Sequence, residues 1–157
     1  MGFKPQHEFI ALLSRHEVPF CLVGGLAVQV HGYSRETEDM DFVWLHSADS
    51  AARLLAVLTE ANACWISNER DPATGLERLV PISSAYINCE HLMMLWTDYG
   101  FVDLFDYIPG FPQDNVQPLL DSAVKVKDVP YASLDWLKKM KQAAGRPKDL
   151  EDLRNLP

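Results

Sequence analysis

The 157-residue chain is the size of one ordinary domain, and 48% of its residues are apolar, which excludes a disordered chain and allows a substantial core. A formal charge of −8 excludes a broad basic surface that wraps nucleic acid, although a local contact stays open. The segment Met1-Gly2-Phe3-Lys4-Pro5 has no apolar signal core, and no run reaches the roughly 20 apolar residues of a membrane span, so a cytoplasmic protein is expected.

From the N-terminus, Phe9, Ile10, Leu12 and Leu13 form a helical stripe within 7–16, and Pro19 ends that helix. Phe20-Cys21-Leu22-Val23 reads as a short buried strand closed by Gly24-Gly25. A helix over 26–31 follows and stops near Gly32. A second strand is expected over 40–45. The helix over 47–61 then turns Leu54, Leu55 and Leu58 to the core and places Asp49 near its electropositive end. Short strands over 64–66 and 79–82 flank a polar loop. Residues 91–96 and 101–107, joined by Asp98-Tyr99-Gly100, form a hairpin. A Pro- and Gly-rich loop over 109–112, a short helix over 117–122 and a strand over 124–126 come next. The chain closes with a helix over 134–144, a break at Gly145-Arg146-Pro147 and a turn or helix over 148–156. No repeat or linker divides it, so the expectation is a single α+β domain over 1–157. Cys21, Cys64 and Cys89 are odd in number, widely spaced and set among apolar residues, which reads as buried thiols in a reducing compartment.

Chemistry concentrates around the first two strands. Alternate side chains of a strand share a face, so Asp39 and Asp41 are expected to converge on one cation. Hard carboxylate oxygens suit Mg2+ or Mn2+. Gly24 and Gly25 leave backbone N–H groups unobstructed at a helix start, where phosphate is favoured. Asp103 is the third carboxylate: it stands in the apolar run Val102-Asp103-Leu104-Phe105, where an unpaired charge is costly and a cation would offset the cost. A salt bridge of Asp103 with Arg35 or a lysine is the alternative. Asp106, three residues on, is expected on the opposite face. Such a triad would hold two metal ions with a nucleoside triphosphate, and basic residues between Lys138 and Lys148 could neutralise the leaving phosphates. His31 and His91 have no ligand-spaced partner, which argues against zinc, and no Walker loop, Gly-x-Ser-x-Gly elbow or dinucleotide fingerprint occurs.

The ordered set Val23-Gly24-Gly25, then Asp39-Met40-Asp41-Phe42 after thirteen intervening residues, resembles the nucleotidyltransferase superfamily that includes DNA polymerase beta. Within it, His31-Gly32, Arg35-x-Thr37-x-Asp39-x-Asp41 and Lys141-x-Ala143-x-Gly145-Arg146-Pro147-Lys148-Asp149 resemble small bacterial abortive-infection (AbiEii-like) nucleotidyltransferase toxins, over residues 6–156. The resemblance implies a mixed β-sheet flanked by helices. It implies metal binding and catalysis by Asp39, Asp41 and Asp103, and nucleotide contact at Gly24, Gly25, Arg35, Lys141, Arg146 and Lys148. It further implies Mg2+ or Mn2+, two ions with the NTP, and an acceptor hydroxyl on a protein, RNA or small molecule, in a toxin–antitoxin or phage-defence setting with a partner protein. The chain is shorter than the larger toxins and lacks their extended helical part. Two other readings stay open: a non-catalytic antitoxin or scaffold retaining the fold, and an aminoglycoside or lincosamide nucleotidyltransferase.

Overall fold

The structure, a computed structural model, describes residues 2–157. Helix α1 (Gln6–Arg15) buries Phe9, Ile10, Leu12 and Leu13, and strand β1 (Phe20–Val23) is buried along its whole length. Helix α2 (Gly24–Val30) starts at the first glycine, two residues before the expected start at Leu26. Strand β2 (Met40–Trp44) follows a loop, and α3 (Ala48–Glu60) is opened by a capping box in which Ser47 and Ser50 exchange hydrogen bonds. The polar region is more regular than its composition suggested: β3 (Cys64–Arg70) and β4 (Glu77–Pro81) pair around a turn with a register shift between Ile66 and Arg70. A short helix absent from the sequence reading, α4 (Ser84–Cys89), is capped by Ser83.

The expected hairpin is present as β5 (Leu92–Thr97) and β6 (Gly100–Phe105). Helix α5 (Gln117–Asp121) leads into β7 (Val124–Val126), which pairs with β8 (Val129–Tyr131). The sequence reading missed β8 because the three-residue strand contains Pro130, and Pro argues against a strand. Helix α6 (Leu134–Ala144) ends at Gly145, whose φ of 61° is the left-handed cap that favours glycine, and α7 (Pro147–Asn155) closes the fold.

Eight strands form one mixed sheet in the order β4-β3-β5-β6-β2-β1-β8-β7, with parallel pairing at β2–β6 and β1–β8. Strand alternation divides β2 cleanly. Met40, Phe42 and Trp44 join the larger core with α1 and α3, while Val43 faces a second core with Cys21, Val23, Leu119 and Met140. Asp41 shares the Val43 face, beside the layer formed by α5 and α6. Among the described residues, no helix is long and apolar enough to cross a membrane. Of the three cysteines only Cys21 is buried, and burial pushes its thiol up to about 12; Cys64 is half-buried and Cys89 exposed, against the expectation.

Candidate active site

The parallel register of β2 and β6 sets Asp41 directly beside Asp103. Paired positions present their side chains on one face, so both carboxylates enter the same cleft, of about 450 Å3, between the sheet and α6–α7. Gly24 forms the floor. Its φ is +62°, and a Cβ there would lie 2.1 Å from Asp41 Oδ2. Only glycine permits both the backbone turn and the close carboxylate. Gly25 has a different reason: a Cβ would lie 2.5 Å from Thr37 Oγ1, so this glycine lets the loop before β2 pack onto the start of α2.

Burial and mutual repulsion disfavour charge on this pair. The Asp103 carboxyl is pushed up to about 7, first by desolvation, then by the charge of Asp41 and the hydrogen bond between them, with a contribution from Asp39. Asp41 is raised chiefly by desolvation, although its bond with Asp103 and the charges of Lys141 and Lys148 act the other way. Two facing oxygen donors that resist ionisation together, with no nitrogen or sulfur donor beside them, fit a hard divalent cation. Asp39 differs from its expected placement. It precedes β2 and is exposed at the mouth of the cleft, so the strand alternation invoked for the pair does not extend to it. Among the described residues, no three His, Cys, Asp or Glu side chains are grouped closely enough to hold a metal ion by themselves.

On the opposite wall lies a chain of ion pairs the sequence reading did not assign. Arg35 Nε and Nη2 donate to Asp152 at 2.7 and 2.9 Å. Lys141 is 7% exposed, and its Nζ is held by Asp149 at 3.1 Å and Asp152 at 2.9 Å. Arg146 Nε donates to Asp149 at 2.7 Å, and Asp149 also accepts from the Arg146 backbone N–H that opens α7. Burial alone would push both aspartates up. Hydrogen bonds from Arg146 and Lys141 at Asp149, and from Arg35 and Lys141 at Asp152, outweigh it and hold both carboxyls below their usual range. Three cations against two carboxylates give this network a net charge of +1, while Glu36 and Glu38 beside Arg35 also line the cleft.

All nine residues singled out from the sequence line the cleft: Gly24, Gly25, Arg35, Asp39, Asp41, Asp103, Lys141, Arg146 and Lys148. Arg35 and Lys141 nonetheless direct their donors at α7. Arg35 thus pairs with Asp152, not Asp103. The missed residues are Asp149 and Asp152, three apart on one helix and therefore on one face; that spacing was the available signal. His91 is not isolated, as the sequence suggested. Its Nδ1 and that of His46 lie 3.0 and 3.3 Å from Asp106 Oδ2, and Asp106 points away from the carboxylate pair as expected.

No family model matches the chain, and no curated protein matches it in sequence. Solved structures do. The lincosamide antibiotic adenylyltransferase LnuA, with lincomycin bound, matches with a TM-score of 0.62 over 99% of this chain and 97% of that chain, at 18% identity. The chain has the nucleotidyltransferase fold. The antibiotic-resistance factor ANT(2'')-Ia matches at 0.57 over 94% and 78%, with 13% identity. An antigenic nucleotidyltransferase-like protein from Paracoccidioides brasiliensis matches at 0.50 over 96% and 74%, with 19% identity.

Two outcomes follow from the electrostatics. A carboxyl raised from 3.8 to about 7 binds its proton more tightly in the fold, so its contribution is favourable at low pH and is lost as pH rises from about 4 through 7. In metal-free protein, Asp103→Asn should therefore raise stability at pH 8 and leave it nearly unchanged at pH 4. Discounted for the half-exposed site, the gain should be roughly 1–2 kcal/mol by urea unfolding. Asp152→Ala leaves Arg35 without its carboxylate and Lys141 with one in place of two. It should cost about 3 kcal/mol in the same assay, the range for breaking a buried pair.

Proposed function

We propose that the protein transfers a nucleoside monophosphate from a nucleoside triphosphate to a hydroxyl group. The observation that carries this reading is the facing pair Asp41–Asp103 at a glycine floor, opposite a wall bearing Lys141, Arg146 and Lys148, in a nucleotidyltransferase fold. Asp41 and Asp103 would hold Mg2+ or Mn2+, with Asp39 joining from the cleft mouth. When bound, such ions neutralise triphosphate charge and make the α-phosphorus more electrophilic. The backbone N–H groups of Gly24 and Gly25, which line the cleft, would receive phosphate oxygens. Arg146 and Lys148, at the cleft wall, balance charge on the departing phosphates, while Lys141 and Arg35 contribute through the field of the network they anchor. A bond forms from the acceptor oxygen to the α-phosphorus, the bond to the β-phosphate oxygen breaks, pyrophosphate leaves, and the acceptor's proton passes to a carboxylate or to water.

A small-molecule acceptor is the favoured version. The match to LnuA covers nearly the whole of both chains, so a fold of this size supports an acceptor of antibiotic scale, and lincosamides or aminoglycosides are the first to test. A toxin–antitoxin role of the AbiEii-like kind rests on sequence motifs alone: His31-Gly32, Arg35-x-Thr37-x-Asp39-x-Asp41 and the Lys141-to-Asp149 run.

With Mg2+, each labelled NTP and a panel of aminoglycosides, lincosamides and cell extract, the wild type should release pyrophosphate and label an acceptor. Asp41→Ala should lower that rate at least 100-fold, the scale of losing a principal electrostatic contact to the transition state, while its circular dichroism stays native. Undiminished transfer by the variant would remove the carboxylate assignment.

A further inference from the structure

The face of the sheet that carries Asp41 and Asp103 is only half covered. Helices α5 and α6 pack over β1 and β2. Over β3 to β6, Leu79, Ile66, Met94, Trp96, Phe101 and Phe3 are 52, 44, 63, 43, 39 and 51% exposed. These side chains make one surface. The Phe3 ring lies 5.8 Å from Trp96 and 6.0 Å from Phe101, which are themselves 5.4 Å apart. Met94 is the next outward residue of β5, Cys64 pairs with Trp96 so that Ile66 shares its face, and Leu79 pairs with Ile66.

We propose that this open half is the interface of a homodimer. Aromatic side chains present roughly 150–250 Å2 each and the aliphatic ones somewhat less, so the observed exposures leave on the order of 600 Å2 of apolar surface. That is the upper end for the largest patch of a monomer, and it approaches the roughly 800 Å2 per partner of a standard stable interface. A small acceptor molecule would cover only a fraction of it. The six side chains carry no charge that would select a partner of opposite sign, whereas a second copy brings the same flat apolar face, and a two-fold contact makes the patch its own complement. Two copies of charge −8 repel, so the contact tightens as salt screens that repulsion. Met94 stands directly across from Asp103, so the second copy also closes the uncovered side of the carboxylate cleft. That last consequence rests on the proposed reaction; the dimer does not.

Sedimentation equilibrium of the full chain over micromolar concentrations, at low and high salt, tests the proposal by mass alone. A dimer that strengthens with salt is expected. Met94→Glu and Phe101→Glu, both on the exposed face, should each give monomers with unchanged far-UV circular dichroism. Hydroxyl-radical footprinting of the wild type needs no variant: Met94 and Trp96 should be protected in concentrated solution and reactive on dilution. A monomeric wild type, a dimer that weakens with salt, a dimer indifferent to both substitutions, or equal reactivity at all concentrations would overturn it. Loss of nucleotidyl transfer without change in these readouts would overturn the proposed reaction and leave the dimer standing.

Discussion

The parallel pairing of β2 with β6 places Asp41 and Asp103 side by side, and the arrangement of the site follows from the cost of that placement. Neighbouring strands lie about 4.8 Å apart. At that spacing two unit negative charges repel by roughly 3 kcal/mol at an effective dielectric constant of 20. This is a large share of the 5–15 kcal/mol that typically holds a domain together. Burial and this repulsion push Asp103 up to about 7, and a divalent cation would relieve the repulsion. Gly24 is needed because the Asp41 carboxylate occupies the space of a side chain there.

The opposite wall answers the same electrostatic problem. Lys141 lowers Asp41 by its charge, yet a buried ammonium must itself be compensated. Asp149 and Asp152 do this, and through Arg35 they tie α7 to the loop that carries Thr37 and Asp39. The short C-terminal helix therefore has a structural link to the first catalytic candidates, more than a hundred residues earlier. Arg146 and Lys148 sit where α7 begins and line the cleft. The placement of Arg35, Lys141 and Arg146 along the cleft thus depends on Asp149 and Asp152, which hold them in ion pairs.

Much of this was legible in the sequence because it is local. The Gly-Gly step, the spacing to Asp39-x-Asp41, and Asp103 in an apolar strand each follow from period, turn chemistry and the cost of burying charge. The partners of the cations were not legible. Lys141 and Arg146 were expected to contact the nucleotide, and only the fold shows Lys141 nearly enclosed between α6 and α7 and held by Asp149 and Asp152. Asp39 lies one residue before the strand, which begins at Met40, so alternation does not account for its place, although it lines the same cleft. Short elements such as α4 and β8 take their stability from neighbours, not from pattern, and escaped for that reason.

Carbon-13 NMR of the Asp carboxyls, followed through pH with and without Mg2+, tests the central claim most directly. Without metal, the account requires Asp103 to titrate near pH 7, coupled to Asp41 so that each resonance senses the other's proton. Saturating Mg2+ should move both resonances and shift the transition to lower pH. Two independent transitions near 4, indifferent to Mg2+, would contradict the paired site and the chemistry built on it.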